Sequence, residues 1–324
     1  MFGKRRAYQR KVAVADFSGV CSGDIYVLES KDPKKLLPEL LPFICQTEAF
    51  FQHAVSTSAG SLSPRTNWTS LSNFTFALPP LEEQKRIVEI LLAVKDQIDA
   101  LKSQQQAHFH LVAAQLINFI AHCNKSSTMT VEDLVIDGPR NGFSPKVNAS
   151  EAGFPTLSIS AVRNGQIIIE GNLKYADAQE LEVAPFFLKT GDVLVVRGNG
   201  NKFLTGKCGL VGEFPKGCFY PDLLIRLRFN EDLIRTEFAV MQWNSASTHN
   251  QPISRAKSTN GIWKINGVDI LRHTLIAPPI PEQNLFLTAM KVQRAAAKDI
   301  TNRLLATKQI MTTFWHGEKQ QWLM

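Results

Sequence analysis

Four short segments of this 324-residue chain concentrate side chains suited to gripping a polyanion and reading base edges. Lys4-Arg5-Arg6-Ala7-Tyr8-Gln9-Arg10-Lys11 packs five cations, a tyrosine and a glutamine into eight residues. The second is Gly138-Pro139-Arg140-Asn141-Gly142-Phe143-Ser144-Pro145-Lys146, and the third is glycine-rich and runs from Arg197 to Cys208. The fourth is Ser254-Arg255-Ala256-Lys257-Ser258-Thr259-Asn260-Gly261. Arginine can pair bidentately with guanine, asparagine or glutamine with adenine, and lysine, serine and threonine serve phosphates. None of the four contains an aspartate or glutamate. Any one of them also fits a solvated surface loop; four together point to double-stranded DNA. The candidate contacts are Arg5, Arg6, Tyr8 and Gln9, then Arg140, Asn141, Ser144 and Lys146, then Arg197, Asn199 and Lys202, and finally Arg255, Lys257 and Asn260.

Other chemistries are not supported by spacing. In the glycine-rich stretch five residues separate Gly200 from Gly206, where a phosphate loop needs four, and Cys208 stands where Ser or Thr would hold magnesium. The [ND]-P-P-[YF] motif of amino-methyltransferases is missing, since Pro79-Pro80 and Pro278-Pro279 are followed by Leu81 and Ile280. No G-x-S-x-G elbow occurs. His108 and His110 have no further ligand at helical spacing. Five scattered cysteines without C-x-x-C spacing read as reduced thiols of a cytoplasmic protein. No apolar run reaches membrane-spanning length, and the basic start lacks the apolar core of a secretory signal. A net charge of +7 favours an anionic partner. The expectation is a binding protein with no catalysis, cofactor or metal of its own.

The elements that must position these segments are mixed. Residues 1 to 30 read as strands, with Val12, Val14, Ile25 and Val27 alternating; Pro38 to Thr57 as a helix; and Phe74, Phe76 and Leu78 as a closing strand. From about Leu81 to Cys123, Ile87, Leu91, Val94, Ile98 and Leu101 follow a 4-3-4-3 pattern, interrupted by Gln105 and His108 and resumed by Val112, Leu116 and Phe119. Some 40 helical residues would span about 60 Å and need a partner along the apolar stripe. A second such stretch, Glu282 to about Gly317, supplies one. Between them, Phe154–Ile159, Gln166–Ile169, Asp192–Val196 and Leu223–Phe229 read as strands and Ile234–Ser247 as a helix.

The two long helices open alike. Leu78-Pro79-Pro80-Leu81-Glu82-Glu83-Gln84 starts the first, and Ala277-Pro278-Pro279-Ile280-Pro281-Glu282-Gln283 the second, 199 residues later. Lys11 to Leu28 also resembles Lys207 to Leu227 in order and near-spacing. The period implies duplicated domains rather than a solenoid. The duplication is lopsided: the stretch from Met129 to Arg197 has no upstream counterpart, so the first copy reads as a partial domain.

The duplicated helix openings, the Gly138–Lys146 segment and the Gly3–Lys11 block resemble the specificity subunits of type I restriction-modification systems, over essentially the whole chain. The fold expected is α+β, with mixed target-recognition domains joined by two long antiparallel coiled-coil helices. Residues 1–80 would be a partial first recognition domain, 81–125 the first spacer helix, 126–279 a second, intact recognition domain, and 280–324 the second spacer helix and tail. Antiparallel pairing would place the two domains at opposite ends of a rod. The resemblance implies modification subunits that bind S-adenosylmethionine and methylate adenine, and a translocating restriction subunit working with ATP and Mg. The short first domain would be completed by a separate N-terminal fragment, replaced by dimerisation of two copies, or left non-functional. A non-catalytic coiled-coil assembly protein without sequence-specific DNA binding is the alternative.

Overall fold

The computed structural model describes residues 1–123, 127–148 and 151–322, side chains of Thr259 and of 315–322 excepted. The expected junction at 125–126 and the last two residues lie outside the described part. The chain forms two compact units, Met1–Gln106 with Lys298–Met324, and Ala107–Ala297.

The first unit contains β1 (Phe2–Gly3) and β2 (Ile25–Tyr26), which pair antiparallel, then α1 (Leu41–Ile44), α2 (Glu48–Ser56), α3 (Trp68–Leu71) and the start of α4 (Leu81–His122). Its core is aromatic. The Phe2 and Phe74 rings each meet Phe50 edge-on, with centroids 5.3 Å away. The strand pattern expected over residues 1–30 is mostly unrealised, since Val14 and Val27 are exposed. The helix expected from Pro38 to Thr57 is two helices. Thr47 divides them: its Oγ1 donates to Ile44 O at 2.8 Å and accepts from Phe50 N at 3.2 Å, capping α2. Phe74–Leu78 is not a strand; Phe74 packs against the core and Phe76 stacks on it at 5.8 Å.

The second unit opens with β3 (Thr128–Thr130), α5 (Val131–Leu134), β4 (Val135–Asn141), β5 (Val147–Asn148), β6 (Phe154–Leu157), β7 (Val162–Arg163), β8 (Gly165–Ile167) and β9 (Leu173–Ala176). It continues through α6 (Glu180–Val183), β10 (Val193–Val196), β11 (Gly198–Asn199), β12 (Cys208–Leu210), β13 (Leu224–Phe229), α7 (Thr236–Asn244) and α8 (Ala246–Arg255). Last come β14 (Lys257–Thr259), β15 (Ile262–Lys264), α9 (Gly267–Leu271), β16 (Thr274–Ile276) and α10 (Ile280–Trp322), whose C-terminal part belongs to the first unit. The central sheet has the order β4-β13-β10-β12-β8-β7. Its middle strand β10 is apolar throughout because both faces are covered. Val193 and Val195 join Ile225, Leu227, Phe238 and Trp243, while Leu194 and Val196 join Tyr220 and Leu224. The two arginines alternating along β13 also lie on a covered face. Arg226, only 2% exposed, pairs with Asp137 at 2.6 Å; Arg228 pairs with Asp137 at 2.8 Å and with Asp192 at 2.6 Å.

Within each unit α4 and α10 run antiparallel. In the first, Ile87 and Leu91 share a cluster with Met311 and Phe314, Ile98 and Leu101 meet Leu304, and Gln105 Nε2 donates to Thr301 Oγ1 at 3.1 Å. In the second, His108 Nε2 lies 2.9 Å from Gln293 O, and Phe119 stacks on Phe286 at 4.5 Å. The two residues that interrupt the heptads are thus polar links across the seam.

The glutamines of the repeated motif explain the repetition. Gln84 Nε2 donates to Pro79 O (2.9 Å) and Lys35 O (2.7 Å), and its Oε1 accepts from Leu37 N (3.0 Å). Gln283 Nε2 donates to Pro278 O (2.6 Å) and Leu233 O (3.1 Å), and its Oε1 accepts from Arg235 N (2.7 Å). Both side chains are buried. Each satisfies three backbone groups at a proline-bounded helix start, where backbone donors and acceptors lack helical partners.

Candidate nucleic-acid interface

Strand direction gathers the cationic segments of the second unit. β4 ends, β13 begins and β10 ends at the same edge of the sheet, because each neighbouring pair is antiparallel: Asn141 faces Ile225 and Val196 faces Leu224. Backbone bonds fasten the loops there. Phe143 N donates to Tyr220 O (3.0 Å), Gly142 N to Leu224 O (3.1 Å), and Arg197 N to Leu223 O (2.8 Å). β11 then pairs with β15, and Ile265 N donates to Arg197 O at 2.9 Å, so the fourth segment joins the third.

The fourth segment, read in sequence as a loop, is instead the end of α8 followed by a tight hairpin. β14 and β15 are joined by Asn260-Gly261, both in the left-handed region with φ of 50° and 77°. An Asn-Gly pair is the turn whose twist matches two antiparallel strands. Lys257 faces Lys264 across this ribbon, and both are exposed. Lys264 was not among the sequence candidates; the Asn-Gly pair before Ile262-Trp263-Lys264 was the signal for it.

The candidates differ in how free they are. Ser144 Oγ donates to Asp222 Oδ1 at 2.6 Å and accepts from Asp222 N, and Arg197 Nη1 donates to Asp222 O at 3.2 Å. This trio organises the centre of the edge. Arg140 Nη1 reaches Pro185 O at 3.1 Å, and its own carbonyl accepts from Tyr220 Oη at 3.2 Å. Burial pushes the Tyr220 phenol up to about 12, so it stays a neutral donor. Asn199 Oδ1 accepts from Asn201 N at 2.8 Å, shaping its turn. Lys202 Nζ lies over the Trp263 ring, 4.5 Å from its centroid. Arg255 Nη1 reaches Asp269 O at 3.3 Å. Asn141, Lys146, Lys257 and Asn260 are exposed. Lys207, at the end of the third segment, points inward: Nζ donates to Asn244 O at 2.9 Å, and burial lowers its pKa.

The first unit holds one cationic segment, beside a turn. Arg6 N donates to Pro64 O at 2.7 Å and Thr66 N to Lys4 O at 2.9 Å, so the Lys4–Lys11 segment lies beside the Ala59–Arg65 turn. Arg5 and Arg65 share Asp24 at 3.2 and 3.4 Å, and Arg10 pairs with Glu48 at 2.6 Å. Arg6, Tyr8 and Gln9 are exposed. Arg6 and Arg10 hold left-handed backbone at φ 54°, a conformation that costs non-glycine residues about 1–2 kcal/mol. Among the described residues no group of acidic, histidine and cysteine side chains could hold a metal, and no helix is long and apolar enough to cross a membrane.

Residues 2–108 match the family described as type I restriction modification DNA specificity domain. That match covers the first third of the chain, and the relatives similar to it are specificity subunits of type I restriction enzymes. The chain is 28% identical over 293 residues to the EcoKI specificity subunit of Escherichia coli K12, covering 82% of this chain and 62% of that protein. It is 21% identical to the StySPI specificity subunit of Salmonella potsdam, covering 98% of this chain and 72% of that one. It thus spans under two thirds of the Escherichia coli subunit. The fold is shared with a solved structure described as "Structural basis underlying complex assembly and conformational transition of the type I R-M system", at a TM-score of 0.53 and 17% identity over 86% of this chain and 70% of that one. The mixed α+β class with two long helices expected of a specificity-family member is what the chain adopts.

Proposed function

We propose that this chain reads DNA sequence for a type I restriction-modification complex and performs no catalysis itself. The observation that carries this reading is that Arg140–Lys146 and Arg197–Lys202 gather where β4 ends, β13 begins and β10 ends, and that β11 ties the Lys257–Lys264 ribbon of a second, three-stranded sheet to them. Residues 1–80 and 126–279 act as two recognition domains, each contacting part of the target. On this reading the Lys257/Lys264 ribbon lies against the major groove, which is wide enough for a two-stranded ribbon, and Arg197 contacts base edges. Adenine methylation with S-adenosylmethionine, and cleavage driven by ATP and Mg, belong to modification and restriction subunits bound to this chain.

The test is co-expression with the modification subunits of the same locus and mapping of methylated adenines. A defined methylated motif supports the proposal; a soluble complex that methylates nothing overturns it. In the working complex, Arg197→Ala with Lys257→Ala should weaken binding, by about 1–3 kcal/mol for a base-reading arginine. Loss of one phosphate-bound lysine should lower the salt slope by about one. A double variant that methylates like the parent shows the edge assignment to be wrong.

A further inference from the structure

The two units share one more local feature, and it is not cationic. In the first, a single 3-10 turn is closed by Gln9 N to Arg6 O (2.8 Å) and Arg10 N to Ala7 O (2.9 Å). In the second, the same turn is closed by Leu204 N to Asn201 O (3.1 Å) and Thr205 N to Lys202 O (3.2 Å). Each turn lies in a loop closed by a backbone bond to a lysine carbonyl, Gly3 N to Lys11 O (2.9 Å) and Val196 N to Lys207 O (2.8 Å). The middle residue of each turn is an aromatic ring held out into solvent: Tyr8, 54% exposed, and Phe203, 71% exposed.

Isolated exposed apolar side chains are ordinary on protein surfaces, and Leu62 and Leu181 are examples here. Tyr8 and Phe203 differ in two respects. They occupy the middle position of similar turns. Each also belongs to a cationic segment, Tyr8 to Lys4–Lys11 and Phe203 to Arg197–Lys207, with the Lys257/Lys264 ribbon paired to the latter's loop. Their flanks are not shared: Ala7 and Gln9 in one turn, Lys202 and Leu204 in the other. What two readers of different sequences have in common is not what tells those sequences apart. An aromatic face packs on any base, because every base presents a π surface.

We infer that Tyr8 and Phe203 are matched wedges, each stacking on a base at its own part of the target and loosening the base step there, adding affinity without choosing sequence. This rests on the DNA-reading proposal above. Cations beside each ring hold the backbone while the ring, not the charge, enters the stack.

The experiment uses the full chain with its modification subunits, a randomised duplex library, and 2-aminopurine duplexes built on the recovered motif. Phe203→Ala and Tyr8→Ala should each weaken binding roughly 5- to 150-fold, the range of one base–aromatic stack, while the recovered motif stays that of the parent. Tyr8→Phe and Phe203→Tyr should bind like the parent, and Phe203→Leu should not. The 2-aminopurine signal at one step should rise with the parent and fall with the alanine variants. Because both rings are exposed, the variants should melt with the parent. A motif that loses one base pair would mean that the ring reads a base edge and is no wedge. A parent with a clear motif and alanine variants of parental affinity would sink the wedge alone. A parent that selects no motif would sink the DNA reading and the wedge together.

Discussion

The Gln283→Ala variant isolates the contribution of the helix-start pin. It removes three hydrogen bonds, to Pro278 O, Leu233 O and Arg235 N, from a buried position. At roughly 0.5–1.5 kcal/mol net each, the loss is about 2–4 kcal/mol, and no water reaches the site easily to replace them. For a unit of this size that corresponds to a fall in melting temperature of roughly 4–16 °C. Gln283→Glu separates hydrogen bonding from volume. The carboxylate keeps its acceptor for Arg235 N but turns a second oxygen towards two carbonyls. Its ionised form is therefore disfavoured in the fold, and its folded-state pKa lies above the ordinary value of about 4.3. A group raised in this way retains its stability below about pH 4.3 and loses it as pH rises. Thermal and urea denaturation at pH 4 and pH 7 should show Gln283→Glu close to parent at the lower pH and destabilised at the higher, with Gln283→Ala low at both. If both variants stay within about 0.5 kcal/mol of parent at pH 7, the pin does not hold the helix start and the reasoning fails.

Further outcomes follow from other buried groups. Burial, with nearby Lys207, lowers the His249 pKa to about 4, and burial, with Arg255 and His249, lowers that of His273 to about 3. Below about pH 6.5 the unfolded chain takes up protons that these rings refuse, so stability should fall between about pH 6.5 and pH 4. Neither His273 nitrogen has a hydrogen-bond partner and its ring lies 4.1 Å from Trp243, so His273→Phe should lessen that acid loss in pH-dependent melts. Arg226→Ala removes a buried charged hydrogen bond while Asp137 keeps Arg228, and should cost about 1.5–3 kcal/mol in urea titrations, whereas an exposed Lys85→Ala should change little. Gly209→Ala would place a Cβ 2.7 Å from Gln166 O, so it should destabilise the β12–β8 pairing, seen as faster amide exchange there.

The long helices and the two central strands were legible because their patterns are long and their neighbours apolar. Val193–Val196 is apolar at every position, and the heptads of α4 persist over many turns. The first thirty residues misled because alternation predicts a strand only where a face is buried, and Val14 and Val27 have none to cover. The Pro38–Thr57 helix broke at Thr47, a cap whose hydroxyl competes with the helix for backbone groups. At the candidate interface, residue types identified the segments, but which cations are free depended on tertiary partners. Nothing near Lys207 in sequence announces that Asn244 O will draw it inward, or that Asp222 will occupy Ser144.

The second unit's pin and its cationic edge lie at opposite ends of β13. The loops fastened at Leu224 carry the candidate contacts, while the turn after Phe229 supplies Leu233 and Arg235 to Gln283. Six residues of strand, roughly 20 Å, lie between them. Substitutions that retune the contact loops therefore leave the register of the following helix untouched, and changes at the proline-glutamine junction leave the contact loops in place. Such a layout lets the contact loops change by point mutation while the joint that fixes the helix start keeps its hydrogen bonds.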